Sequence, residues 1–262
     1  MRAQKRLQPL LKYQDLFLVF IWRDFSVRYK QAVLGIAWAV IQPSSMMLLF
    51  TFIFTYIMPV EVSHLPRPVF YYSGLLPWTF FSSTINYAIP SLISNYNLLK
   101  KIYFPRLLLP LSGMVVASID FLIAATIFGG LLIVFGIPLS INLLWVFPLF
   151  LLLVLFTGAL ALVLSALNVY YRDVGLASAF FIQLLFFSSP IFYSVDRLPL
   201  KLKIVVFFNP LTFIVENMRR CLIEGRQTVW WQYLIMLALL SILAALGYRF
   251  FMVMERKFAD VI

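Results

Sequence analysis

One cysteine, Cys221, and one histidine, His64, occur in 262 residues. That scarcity excludes an internal disulfide framework and leaves no cysteine-rich or multi-histidine metal cluster. Charge is also thin: 12% of residues are Asp, Glu, Lys or Arg, about half the share of a soluble domain, against 63% apolar and 18% aromatic. One core cannot hide that much apolar surface, so the chain is expected to lie in a bilayer. Catalytic signatures are missing too. No G-x-x-x-x-G-K-[ST] phosphate loop, H-E-x-x-H pair or G-x-S-x-G elbow occurs, and an enzyme is not expected. The charge that is present leans basic, 21 residues over 10 acidic for a net +11. In a membrane chain that excess records topology and anionic headgroups, so no nucleic-acid partner is expected.

A spanning helix needs about 20 mostly apolar residues. Six stretches meet this: 32–58, 69–93, 107–135, 143–168, 174–193 and 230–253. The expected fold is therefore all-α and integral to the membrane, with residues 1–31 as a cytoplasmic interfacial segment and 32–262 as a six-span domain. A further apolar run, residues 204–217, is too short to cross and is split by Asn209 and Pro210. Proline removes a backbone donor, so a re-entrant or interfacial helix pair is expected there.

An even span count puts both termini on one side. The short loops and ends carrying Arg2, Lys5, Arg6, Lys12, Arg23, Arg28, Lys30, Lys100, Lys101, Arg106, Arg172, Arg249, Arg256 and Lys257 mark that side as cytoplasmic. The loop 194–227 strains the rule with six cations of its own. Lys12, Asp15, Arg23 and Asp24 interrupt any apolar core in the first thirty residues, which argues against a cleavable signal peptide. At helical period Leu11, Leu18, Trp22, Phe25 and Tyr29 share one face and Lys12, Asp15, Arg23 and Lys30 another, the pattern of a helix lying along the headgroups.

Two stripes stand out at 3-and-4 spacing. Trp38, Gln42, Ser45, Leu49, Phe52 and Tyr56 share a face of the first span, and Ala179, Gln183, Phe186, Pro190 and Tyr193 a face of the fifth. Rings interleaved with hydrogen-bonding groups suit a sugar polymer, whose C–H faces meet the rings and whose hydroxyls meet the amides. Helix packing explains the same pattern, with Pro43 turning the later part of the first stripe aside. Asp120 is the one acid near mid-span. It serves either as a proton-relay group or, with Gly113, Ala117 and Ala124 as small neighbours, as a hydrogen-bonded packing residue. The loop Asn97 to Pro110 mixes Lys100, Lys101 and Arg106 with Leu99, Ile102, Tyr103 and Phe104, either a plug for a groove on a soluble partner or an ordinary topogenic loop.

The segment WRDFSVRYKQAVLGIAWAVIQP, Trp22 to Pro43, resembles the N-terminal signature of permease subunits of polysaccharide ABC exporters, of the Wzm O-antigen type and its capsule and teichoic-acid relatives. FYYSGLLPWTFF, NLLKKIYFPR, NVYYRDV and NPLTFIVENMRR follow in the family's order, so the resemblance covers nearly the whole chain. It implies a homodimer of six-span subunits bound to two copies of a separate ABC ATPase. That ATPase would hold the ATP and Mg, with no cofactor in this chain. It also implies export of an undecaprenyl-diphosphate-linked polysaccharide across the bacterial cytoplasmic (inner) membrane. Spans one and five would line the channel (Trp38, Gln42, Ser45, Phe52, Tyr56, Gln183, Phe186, Tyr193). The second cytoplasmic loop (Leu99, Lys100, Lys101, Ile102, Tyr103, Phe104, Arg106) and the N-terminal helix would meet the ATPase. Arg23, Arg28 and Lys30 are expected to attract the lipid diphosphate at the entrance. Rival readings are an ABC permease for small lipids or drugs, an ion-coupled lipid flippase using Asp120, and a membrane-embedded transferase or phosphatase using Glu216 and Glu224. Those two acids beside Arg219 and Arg220 are read instead as local pairs in a solvated loop.

Overall fold

The computed structural model describes residues 13–30, 32–58, 65–256 and 258. Leu11, Lys12, His64 and Lys257, with the rest of 1–12, lie outside them. Ten α-helices are present among the described residues, and no strand. They are α1 (Gln14–Tyr29), α2 (Trp38–Phe52), α3 (Arg67–Ser94), α4 (Tyr96–Lys101), α5 (Leu108–Val134), α6 (Val146–Tyr170), α7 (Asp173–Ser188), α8 (Leu200–Phe207), α9 (Pro210–Leu222) and α10 (Trp230–Glu255). A 3-10 turn, Gly35–Ala37, leads into α2, and a π turn, Ile53–Ile57, continues it.

Four stretches are long and apolar enough to cross a membrane: Gly35–Ile57, Leu108–Val134, Ile141–Tyr170 and Trp230–Glu255. The two other expected spans fall short for different reasons. Helix α3 has 28 residues, about 42 Å at 1.5 Å per residue, but Tyr71, Tyr72, Ser73, Thr84 and two prolines lower its hydropathy. Those groups are affordable because α3 is the central helix, buried between α5 and α6 and touched by α2, α7 and α9 rather than facing lipid. Helix α7 is apolar but has 16 residues, about 24 Å. It stops at Ser188, and the chain then turns through Ser189 and Pro190.

The core is aromatic. Phe121 stacks on Phe150 at 4.5 Å between centroids, and Phe80 meets Phe150 edge-on at 5.1 Å, which locks α3, α5 and α6 together. A second cluster of Phe20, Leu99, Phe104, Leu108, Phe251 and Phe258 joins α1 and the 97–106 loop to the ends of α6 and α10. Between residues 200 and 222 the chain forms two helices broken at Phe208–Asn209, where the Asn209 side chain caps α9 by accepting from Leu211 N at 3.0 Å.

Candidate conduit face and coupling surface

Trp38, Gln42, Ser45, Leu49, Phe52 and Tyr56 are all exposed, while Pro43 and Met47 on the opposite side of α2 are buried. Pro43 therefore does not turn the stripe aside: residues before and after it stay on one open face. Phe52 and Tyr56 touch each other at 5.5 Å, and Tyr56 is 75% exposed. The α7 stripe divides. Ala179 and Gln183 are exposed, but Phe186, Pro190 and Tyr193 turn into the protein. Phe186 packs against Phe50 (5.9 Å), Trp78 (5.1 Å) and Phe192 (6.0 Å), and the Tyr193 hydroxyl donates to Ser188 O at 2.9 Å. The lower part of that stripe is available to a passing ligand, and the upper part holds α7 against α2 and α3.

Helix α1 sits with its polar side inward. Arg28 donates to Asp120 and, at 2.9 Å, to Ser83 Oγ, while Tyr29 OH donates to the other Asp120 oxygen. Burial and the Asp120 carboxylate push the Tyr29 phenol above its ordinary pKa, so it remains a donor at neutral pH. One turn earlier Asp24 accepts from Ser112 Oγ at 2.6 Å and from Arg23, whose other arm donates to Asn95 Oδ1 at 2.6 Å. Leu18, Val19, Trp22 and Val27 are left exposed. Of the three entrance cations, Arg23 and Arg28 are paired with carboxylates and Lys30 is exposed. The periodicity set Arg23 outward because it could not show that the Asn95 amide oxygen accepts from it on the protein side.

The 97–106 loop has two faces. Lys100, Lys101, Ile102 and Tyr103 point outward, with Tyr103 92% exposed, and Lys100 lies over the Tyr96 ring at 4.2 Å. Leu99 and Phe104 point inward. Phe104 is 3% exposed and packs on Phe20 of α1 at 5.3 Å. Arg106 is tied down as well, its backbone N–H donating to Glu255 Oε1 at 2.9 Å and its guanidinium to Glu255 O at 3.2 Å.

The expected local pairing of Glu216 with Arg219 is present, but it is buried rather than solvated. Arg219 is 2% exposed, not solvated. It donates to Glu216 Oε1 (3.0 Å), Pro190 O (2.8 Å), Ile191 O (3.3 Å) and Ser73 Oγ (3.3 Å), and its guanidinium lies 3.8 Å over the Phe70 ring. Burial pushes the Glu216 carboxyl up, against the pull of Arg219 and Arg220. Glu224 pairs instead with Arg226, 3.7 Å apart, and Arg226 is well exposed. Gly74 was the available signal. A Cβ there would lie 2.9 Å from Ile191 Cα and 3.0 Å from the Arg219 guanidinium, so the glycine makes room for the arginine.

Among the described residues the chain is all-helical, with four stretches long and apolar enough to cross a membrane, the architecture of an integral membrane protein. The profile of the ABC-2 type transporter family matches residues 15–223, and the chain belongs to that family. It is 31% identical over 250 residues, 95% of each chain, to the O-antigen export system permease protein RfbA of Klebsiella pneumoniae. A protein of the same name from Myxococcus xanthus is 27% identical over 84% of each chain. The polysialic acid transport protein KpsM of Escherichia coli is 27% identical over 86% of this chain and 88% of its own.

Proposed function

We propose that this chain is the membrane-embedded permease subunit of an ATP-driven exporter that moves an undecaprenyl-diphosphate-linked polysaccharide of O-antigen type across the bacterial cytoplasmic membrane. The observation that carries the reading is the end-to-end match to O-antigen export permeases. Beside it stands the open α2 face, where rings alternate with hydrogen-bonding groups. Many weak contacts of that kind hold a sliding polymer without trapping it.

In this reading α3 and α7 join the four longer apolar stretches to give six spans, α8 and α9 form a re-entrant pair, and both termini are cytoplasmic. Two copies associate so that their α2 and lower α7 faces enclose the conduit. Two ABC ATPase subunits, which hold the ATP and Mg, dock on Lys100, Lys101, Ile102 and Tyr103. Movement there reaches α1 through the Phe104–Phe20 contact. The diphosphate meets Lys30 first, and Arg23 and Arg28 contribute as their carboxylate pairings loosen.

The test is complementation of a cell lacking its own O-antigen permease, with the cognate ATPase supplied. Surface polysaccharide should return, and Phe52→Ala with Tyr56→Ala should slow export several-fold while leaving the protein folded, since both rings are exposed. Undiminished export by the double variant would remove the α2 face from the pathway, and no surface polysaccharide with the ATPase bound would contradict the cargo.

A further inference from the structure

Between α1, α2, α3 and α5 lies a cavity of about 220 Å³ that the conduit account leaves unexplained. Its lining includes the polar side chains of Gln42, Thr79, Ser83 and Asn86, the Arg28–Asp120 pair, and the buried rings of Phe80 and Phe121. Gln42 belongs to the open α2 stripe as well, so the cavity opens off the proposed conduit wall. Three features define what fits. First, Arg28 and Asp120 neutralise each other, so the site offers no net charge to an anion. Second, Asn168, Asn209 and Asn217 each close hydrogen bonds within the protein, whereas the exposed amides of Gln42 and Asn86 close none among the described residues. Unmet amides in a membrane protein are costly unless something polar reaches them. Third, the volume is below the roughly 300–1,000 Å³ of sites for drug-sized ligands, which admits one ring and not an oligosaccharide.

We propose that this cavity is a subsite for a single uncharged pyranose ring of the lipid-linked glycan. The ring exchanges hydroxyl hydrogen bonds with Asn86 and Gln42, while the buried Phe80 and Phe121 close the inner side of the cavity. A pocket that holds one ring is suited to recognising a defined sugar rather than to passing a uniform polymer, and its place beside Arg28 of α1, two residues from Lys30 where the export reading has the diphosphate arrive, assigns it the sugar next to the diphosphate. The inference rests on the export reading above and supplies the specificity which that reading lacks.

The experiment uses the permease–ATPase complex in nanodiscs with two probes, farnesyl diphosphate and farnesyl-diphospho-N-acetylglucosamine. Cys221 is buried, so Ala39→Cys in the cavity wall introduces the one accessible thiol among the described residues. The sugar-bearing probe should slow maleimide labelling at that position about tenfold more than the sugarless probe, the scale of a few amide–hydroxyl hydrogen bonds. Adding Asn86→Leu should abolish the difference while leaving the effect of the sugarless probe unchanged. Equal protection by both probes, or a sugar effect that survives Asn86→Leu, overturns the subsite. Should Asn86→Leu not fold, the two probes compared on Ala39→Cys alone decide the matter. Assembly with the ATPase and export of polymer are scored separately, so a failed subsite is distinguishable from a failed export reading.

Discussion

Asp120 carries the strongest coupling of any single side chain to the interfacial helix, because two α1 residues spend their donors on its two oxygens. Removing one member of a partly buried ion pair strands the other, at a cost below the roughly 3–5 kcal/mol of a fully buried pair. Asp120→Leu should therefore lower the unfolding temperature sharply, Arg28→Met should do likewise, and the double variant should recover much of the loss, as read by thermal unfolding in detergent. Equal and additive losses would show that the pair is not the unit. Glycine offers a cleaner contrast. Gly74→Ala should cost about 1–3 kcal/mol because its new carbon strikes the Ile191 backbone and the Arg219 guanidinium. Gly130→Ala in α5 meets nothing within 4 Å and should be neutral or stabilising, since alanine favours helix by about 1 kcal/mol.

At the scale of elements, the 97–106 loop separates into an exposed face, which the proposal assigns to the ATPase, and a buried face that holds the loop against α1. Lys100→Glu with Lys101→Glu and Tyr103→Ala should abolish ATPase binding in a pull-down while leaving insertion and melting unchanged, because these side chains are exposed. Phe104→Ala should instead loosen the loop from α1, by about 3–5 kcal/mol for a buried phenylalanine, and retain ATPase binding with weakened export. Much of this level was legible in the sequence. The break at Asn209–Pro210 follows from a missing backbone donor, and the α2 stripe follows from period alone. The inward turn of Phe104, the polar underside of α1 and the burial of Arg219 were not legible. Each depends on a partner distant in the chain: Phe20 for Phe104, Asp120 for Arg28, and the Pro190 and Ile191 carbonyls for Arg219. Local periodicity ranks residues by polarity and has no knowledge of such partners, so it sent Arg23 and Arg219 toward water. Helix α3 falls below the apolarity of the four membrane-length stretches, and it is the helix most wrapped by protein, which lets it carry polar groups.

For the whole molecule the central claim is a division of labour: this chain supplies the path and a separate ATPase supplies the work. The family match concerns ABC-2 type transporters, and the similar proteins are named as export permeases. The division is tested most directly in proteoliposomes loaded with lipid-linked O-antigen glycan, with glycan appearing on the far leaflet as the readout. The permease alone should move none, with or without ATP, and adding the ATPase with ATP and Mg should start transport that stops when a non-hydrolysable analogue replaces ATP. Sustained glycan transfer by the permease without its ATPase would contradict the account.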